Sequence, residues 1–168
     1  MTKFLKKIMS IIDFLVKCGM IVSFLCMVFL ITIQVFYRYV LVKPIPWAEE
    51  AARYFFIWAT FLGATVAVKT KQHTIVSFVL DRFPEKYRKS VLFIGYSCCI
   101  IFLSFVVVYG FDLSFRVVRQ KTPAMQLSMF YPYLAIPTGA FVMVLNYISL
   151  FIEEIKGFKI ASSSNAHQ

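Results

Sequence analysis

Residues 46–69 read PWAEEAARYFFIWATFLGATVAVK, and whether this stretch crosses a bilayer decides the fold. Only 15 uncharged residues separate Arg53 from Lys69. A helix rising ~1.5 Å per residue needs ~20 to span a ~30 Å hydrocarbon core. Counted from Pro46, the run reaches Val68, which is 23 residues. Its first turn then carries Pro46 near the first helical position and Glu49 and Glu50 near the positive end of the helix dipole, both favourable placements. Glu49 precedes Arg53 by four residues, the orientation that forms an ion pair on one helix face. The stretch therefore reads as a span whose first two turns lie at the membrane interface, anchored by Trp47, Tyr54 and Trp58.

The other spans follow from charge spacing. There are 20 residues without a charge between Lys17 and Arg38, and 22 between Lys89 and Asp112. Between Lys121 and Glu153 there are 31, but Pro123 and Pro132 delay the helix to about Tyr131. The expected fold is an all-α integral membrane protein, one domain over residues 1–160 with spans at about 13–37, 46–68, 90–111 and 131–152. Ile75, Val76, Val79, Leu80 and Phe83 share one helical face, which predicts a short interfacial amphipathic helix over about 74–83. Residues 161–168 read as a disordered tail. Composition agrees: 60% of the 168 residues are hydrophobic and 15% charged, against roughly 45–50% and 25% in soluble domains. A soluble globule of this size could not bury so much apolar surface.

Lys and Arg number 18 against 8 Asp and Glu, a net charge of +10. In a membrane chain this points to basic residues held on the cytoplasmic face rather than to nucleic acid. With four spans, twelve of the cations fall on the side of the termini and the middle loop. The other six, Arg38, Lys43, Arg53, Arg116, Arg119 and Lys121, fall on the opposite side. Both termini are therefore expected in the cytoplasm. The first span is expected to remain as an anchor, since Phe36-Tyr37-Arg38-Tyr39 follows it and not a small-residue cleavage site.

The spans carry little chemistry. His73 and His167 lie outside them, which argues against a haem-binding anchor. Cys18, Cys26, Cys98 and Cys99 sit in or beside spans one and three without a CxxC pattern, and read as packing residues. Asp13, Glu49, Glu50, Asp81, Glu85, Asp112, Glu153 and Glu154 all fall at or outside span boundaries, whereas ion-coupled carriers commonly hold an ionisable group at mid-depth. Gln34 and Asn146 are the strongly polar residues within spans. No metal-ligand spacing, phosphate loop or nucleophile–base pair appears, so neither an enzyme nor a cofactor is expected. Ala59, Gly63 and Ala67 form a small-residue stripe on span two, and Gly95 and Cys99 repeat the spacing on span three, each suited to a close helix approach within the chain or with a partner.

Three stretches together resemble a known family. Phe36-Tyr37-Arg38-Tyr39-Val40 is followed by Pro46-Trp47-Ala48-Glu49-Glu50-Ala51-Ala52-Arg53, then Trp58 and Phe61-Leu62-Gly63-Ala64. His73-Thr74-Ile75 leads to Phe83-Pro84. Thr122-Pro123-Ala124-Met125 precedes Tyr131-Pro132-Tyr133-Leu134-Ala135-Ile136-Pro137-Thr138-Gly139. In order and spacing, over about residues 10–155, these resemble the DctQ-like small membrane subunit of tripartite ATP-independent periplasmic (TRAP) transporters. One departure is Ser77, where the family often has an acid.

The resemblance implies a multi-pass bacterial inner-membrane subunit, paired one to one with a large permease and served by a periplasmic binding protein. Uptake would be sodium-coupled, with the Na⁺ site in the large subunit and an organic acid, sialic acid or a C4-dicarboxylate, as cargo. Arg38, Trp47, Glu49, Glu50, Arg53, Trp58, Gly63, Pro137 and Gly139 become structural or interface candidates. The expected lock is a Glu49/Glu50/Arg53 cluster with Arg38 as a further partner. Lys43, Arg116, Arg119 and Lys121 are candidates for docking the binding protein. The competing reading is a self-contained homo-oligomeric transporter or channel.

Overall fold

The computed structural model describes the backbone over residues 3–80 and 85–165, and side chains at residue 7 and over 9–69 and 91–152. Four helices account for most of it: α1 (Lys3–Tyr39), α2 (Pro46–Leu80), α3 (Glu85–Arg116) and α4 (Phe130–Asn165). Each contains a segment long and apolar enough to cross a membrane, at Met9–Tyr39, Pro46–Lys69, Val91–Arg116 and Phe130–Ile152. The doubtful second span is a helix from Pro46 onward, with proline at a position whose N–H has no intrahelical partner in any case.

Two segments differ from expectation. Residues 74–80 are helical, but they continue α2 without a break and do not form a separate element. No proline interrupts the ladder there. Residues 81–83, and the side chains that would define an amphipathic face over 74–83, lie outside the described residues. The tail expected from 161 is helical as far as Asn165, as the end of α4, because no proline stops the hydrogen-bond ladder after Ile152; residues 166–168 lie outside the described residues.

The helices pack extensively as α1 on α2, α2 on α4 and α4 on α3. The spatial order is therefore α1–α2–α4–α3, an open row rather than a closed bundle. Gln34 meets Glu49 at one end of their contact and Asp13 meets Lys69 at the other, so α1 and α2 run antiparallel. Phe93 meets Phe151 and Phe115 meets Phe130, so α3 and α4 do the same. The two central helices, α2 and α4, run parallel: Trp58 reaches Tyr131 near the start of α4, and Thr65 reaches Gly139 further along.

Hydrocarbon offers no hydrophobic drive for helix association, so close contact and buried hydrogen bonds must supply it. The α2–α4 seam has both. A Cβ at Gly139 would stand 2.8 Å from Phe61 Cβ and 3.3 Å from the Phe61 carbonyl oxygen. The Thr65 hydroxyl, 2% exposed, lies 3.0 Å from the Phe61 carbonyl and 3.3 Å from the Gly139 carbonyl, both as acceptors. On the other flank of α4, Pro137 is fully buried, and a Cβ at Gly110 of α3 would sit 3.2 Å from its ring. The outer helices, by contrast, present Phe24, Phe29, Phe102 and Phe105 on exposed surface.

The stripe of small residues on α2 is used differently from a helix-to-helix backbone contact. A Cβ at Gly63 would lie 3.6 Å from the flexible Met20 side chain, which is ordinary packing, and Gly95 has nothing within 4 Å. The tight approach falls at Gly139. Gly139→Ala is therefore expected to lower stability in detergent by about 1–3 kcal/mol, while Gly95→Ala leaves it unchanged or slightly raised. Thermal unfolding of the two variants against the parent protein measures the difference.

Candidate functional site

One face of the first turns of α2 is buried within the protein, while Trp47, Glu49 and Arg53 stay exposed on the other. Ala48 is 0% and Ala52 4% exposed, and Glu50 beside them is 8% exposed. Small side chains at positions 48, 51 and 52 let neighbouring structure close over this end of the helix. A carboxylate in such a place must have donors.

Glu50 finds them in the α3–α4 loop. One carboxylate oxygen accepts the Ala124 N–H at 3.0 Å and the Met125 N–H at 2.8 Å. The other accepts the Tyr54 hydroxyl at 2.7 Å. The loop is shaped to present these amides. Lys121 and Ser128 form an isolated antiparallel bridge, and Met129 N–H donates to the Gln120 carbonyl at 2.9 Å. Inside it, Thr122 N–H donates to the Leu127 carbonyl at 2.9 Å, and Leu127 N–H donates to the Thr122 hydroxyl at 3.2 Å. Thr122 is 0% exposed. Pro123 restricts the backbone just ahead of the two converging amides, and Gln126 turns the chain back with φ 56°. Ser128 then starts α4, its hydroxyl accepting the Phe130 N–H at 3.2 Å.

The expected cluster is split. Glu50 faces inward. Glu49 faces outward, pairs with Arg53 at 3.3 Å and accepts the Gln34 amide of α1 at 3.1 Å. The Arg53 and Glu49 side chains are 66% and 55% exposed, so this pair contributes under ~1 kcal/mol. Arg38 does not join them: its guanidinium lies 5.9 Å from the Tyr39 ring centre, and it has no carboxylate partner among the described residues. It sits past the last turn that could reach Glu49, a place Gln34 takes.

The remaining candidates are dispersed. Trp47 is 50% exposed. The Trp58 indole N–H donates to the Tyr131 carbonyl at 3.2 Å, tying α2 to α4. Gly63 faces α1, and Pro137 and Gly139 lie at the α4 contacts described above. Arg116 pairs with Asp112 at 2.8 Å, whereas Lys43, Arg119 and Lys121 are exposed and unpaired among the described residues. Asn146 is 2% exposed, and its amide nitrogen has no partner among the described residues. No group of three or more potential metal ligands occurs among the described residues.

Sequence reasoning missed two features. The Ala124 and Met125 amides are backbone groups, and only the Thr122-Pro123 pair that sets them up was visible. The Lys69 ammonium pairs with the Asp13 carboxylate at the opposite end of the α1–α2 contact. Their placement at corresponding ends of an antiparallel hairpin was the available signal.

Residues 27–157 match the family described as tripartite ATP-independent periplasmic transporters, DctQ component. A putative TRAP transporter small permease protein of Haemophilus influenzae is 29% identical over 157 residues, covering 92% of this chain and 93% of the relative. The sialic acid TRAP transporter small permease protein SiaQ of Vibrio cholerae is 25% identical over 162 residues, covering 96% and 92%. The isethionate TRAP transporter permease protein DctMQ of Oleidesulfovibrio alaskensis is 29% identical over 140 residues, which are 79% of this chain and 22% of the relative. The chain thus spans about a fifth of that longer permease and nearly all of the two small ones.

Glu50→Ala strands two amides and a phenol. Hydrogen exchange at Ala124 and Met125 is expected to quicken about tenfold or more, measured by mass spectrometry of the loop peptide. Glu50→Gln keeps an acceptor oxygen and falls between this variant and the parent. Arg53→Ala leaves loop exchange unchanged.

Proposed function

The chain belongs to the DctQ component family of the tripartite ATP-independent periplasmic (TRAP) transporters, and from that premise we propose that it is the small subunit bracing a large permease. The open row of helices carries this reading. Its outer members, α1 and α3, present long apolar faces, more than a closed bundle would leave uncovered. Charged groups of the described spans, such as Asp13, Glu49, Asp112 and Arg116, lie towards helix ends. A subunit built this way suits packing against a partner better than coordinating an ion at mid-depth.

DctMQ supports the pairing, since the matched region is a minor part of one longer chain called a permease. Covalent continuity there keeps such a domain beside the rest of that protein. For this chain the corresponding arrangement is a separate large permease, taken as one to one, in the bacterial inner membrane. A periplasmic binding protein supplies the cargo, a small organic acid such as sialic acid or a C4-dicarboxylate, and sodium coupling resides in the large subunit. The role is non-catalytic, with no cofactor in this chain.

The twelve-to-six bias of Lys and Arg supports cytoplasmic termini and a periplasmic Glu50 end. Lys43, Arg119 and Lys121 then face the periplasm with Arg116, whose charge is shared with Asp112. The first three are the stronger docking candidates for an acidic surface on the binding protein.

The test is co-purification and uptake. The tagged chain is expected to retain the large permease in detergent, and proteoliposomes are expected to take up substrate only with the large permease and binding protein present. Glu50→Ala is expected to reduce both retention and uptake. Uptake by this chain alone refutes the bracing role and supports the self-contained transporter. Fusions of a cytoplasm-only reporter are expected to be active at either terminus; an active periplasmic reporter at the C-terminus refutes the topology.

A further inference from the structure

At the end of the α1–α2 contact opposite Glu50, a cleft of about 230 Å³ is lined by Asp13, Val16, Lys17, Thr65, Val66 and Lys69. The Lys69 ammonium pairs with Asp13, yet the Lys69 side chain stays 50% exposed while that of Asp13 is 15% exposed. Lys17 is exposed and has no ion-pair partner among the described residues. Two ammonium groups from adjacent helices therefore line a cleft that holds one carboxylate, which Lys69 takes, and the cleft carries one surplus positive charge. Its floor is already satisfied, because the Thr65 hydroxyl is engaged with the Phe61 and Gly139 carbonyls.

Position narrows the occupant. The apolar segment of α1 begins at Met9 and that of α2 ends at Lys69. The mouth of the cleft thus sits where hydrocarbon gives way to headgroups. Beside it, α1 exposes Phe14 at 66%, Leu15 at 62% and Ile21 at 51%. Cationic groups next to an apolar strip match a molecule with an anionic head and long alkyl chains.

We propose that this cleft binds the phosphodiester headgroup of one anionic glycerophospholipid. Lys17 and the exposed side of Lys69 hold the phosphate, and the acyl chains lie along the apolar face of α1. Basic pockets between membrane helices recognise anionic headgroups through this chemistry. An ethanolamine or choline head would add a cation beside Lys17, where the one carboxylate is already taken. A glycerol head adds hydroxyls and no cation. The site requires only that the chain spans a bilayer, so it stands independently of the bracing role.

Native mass spectrometry of the full chain in neutral detergent tests it, with phosphatidylglycerol, phosphatidylcholine and soluble glycerophosphate as probes. One phosphatidylglycerol is expected to be retained in preference to phosphatidylcholine. Lys17→Gln is expected to weaken that retention about fivefold, the effect of one lysine near a charged membrane surface. Asp13→Asn releases Lys69 from its partner and is expected to strengthen retention, whereas a purely structural ion pair would give no gain. Glycerophosphate, lacking chains, is expected not to displace the lipid at equal concentration. Equal retention of the two lipids, an unaltered Lys17→Gln variant, weaker binding by Asp13→Asn, or displacement by glycerophosphate would each overturn the assignment.

Discussion

A single carboxylate organises one end of this molecule. Glu50 is withdrawn from solvent at the start of α2, and its donors come from Tyr54, one turn on, and from two loop amides 74 and 75 residues away. An anionic acceptor makes stronger hydrogen bonds than a neutral one. Leaving it unpaired in a low-dielectric setting is costly. The α3–α4 loop must therefore fold into the one shape that presents Ala124 and Met125 together. That shape sets where α4 begins relative to α2.

From this fixed end the two central helices descend in parallel, and their contact is made by small groups and shared hydrogen bonds. Gly139 admits the Phe61 backbone, Thr65 bridges two carbonyls on different helices, and Trp58 reaches Tyr131. These interactions do not depend on expelling water, so they persist in a hydrocarbon solvent. The outer helices attach to this spine from either side, and each leaves most of its apolar surface free. A subunit whose rigidity lies in its middle and whose stickiness lies at its edges is well matched to supporting a neighbour.

Much of the secondary structure was legible because membrane spans announce themselves by length and charge spacing. Pro46, Glu49 and Glu50 marked the start of α2, and Pro132 the late start of α4. The division of labour between Glu49 and Glu50 was not legible. Adjacent residues on a helix differ by about 100° in direction, and which of them faces inward depends on a loop far along the chain. The row order was hidden for the same reason, since it rests on Gly139 meeting Phe61. The small-residue stripe of Ala59, Gly63 and Ala67 suggested a backbone approach, but Met20 fills that space. Asp13 and Lys69 each read as boundary charges, and only the antiparallel α1–α2 pairing unites them.

The parallel arrangement of α2 and α4 also has a consequence for biogenesis. Each of the hairpins α1–α2 and α3–α4 closes with neighbours in the chain, so each can form as soon as its second helix leaves the translocon. The central seam must wait for α4 as well, because its partners are separated by the whole of α3. One helix, the last made, thus closes both the second hairpin and the centre of the row. The Ala124 and Met125 amides that hold Glu50 lie just ahead of that helix, so the same closing step satisfies the buried carboxylate.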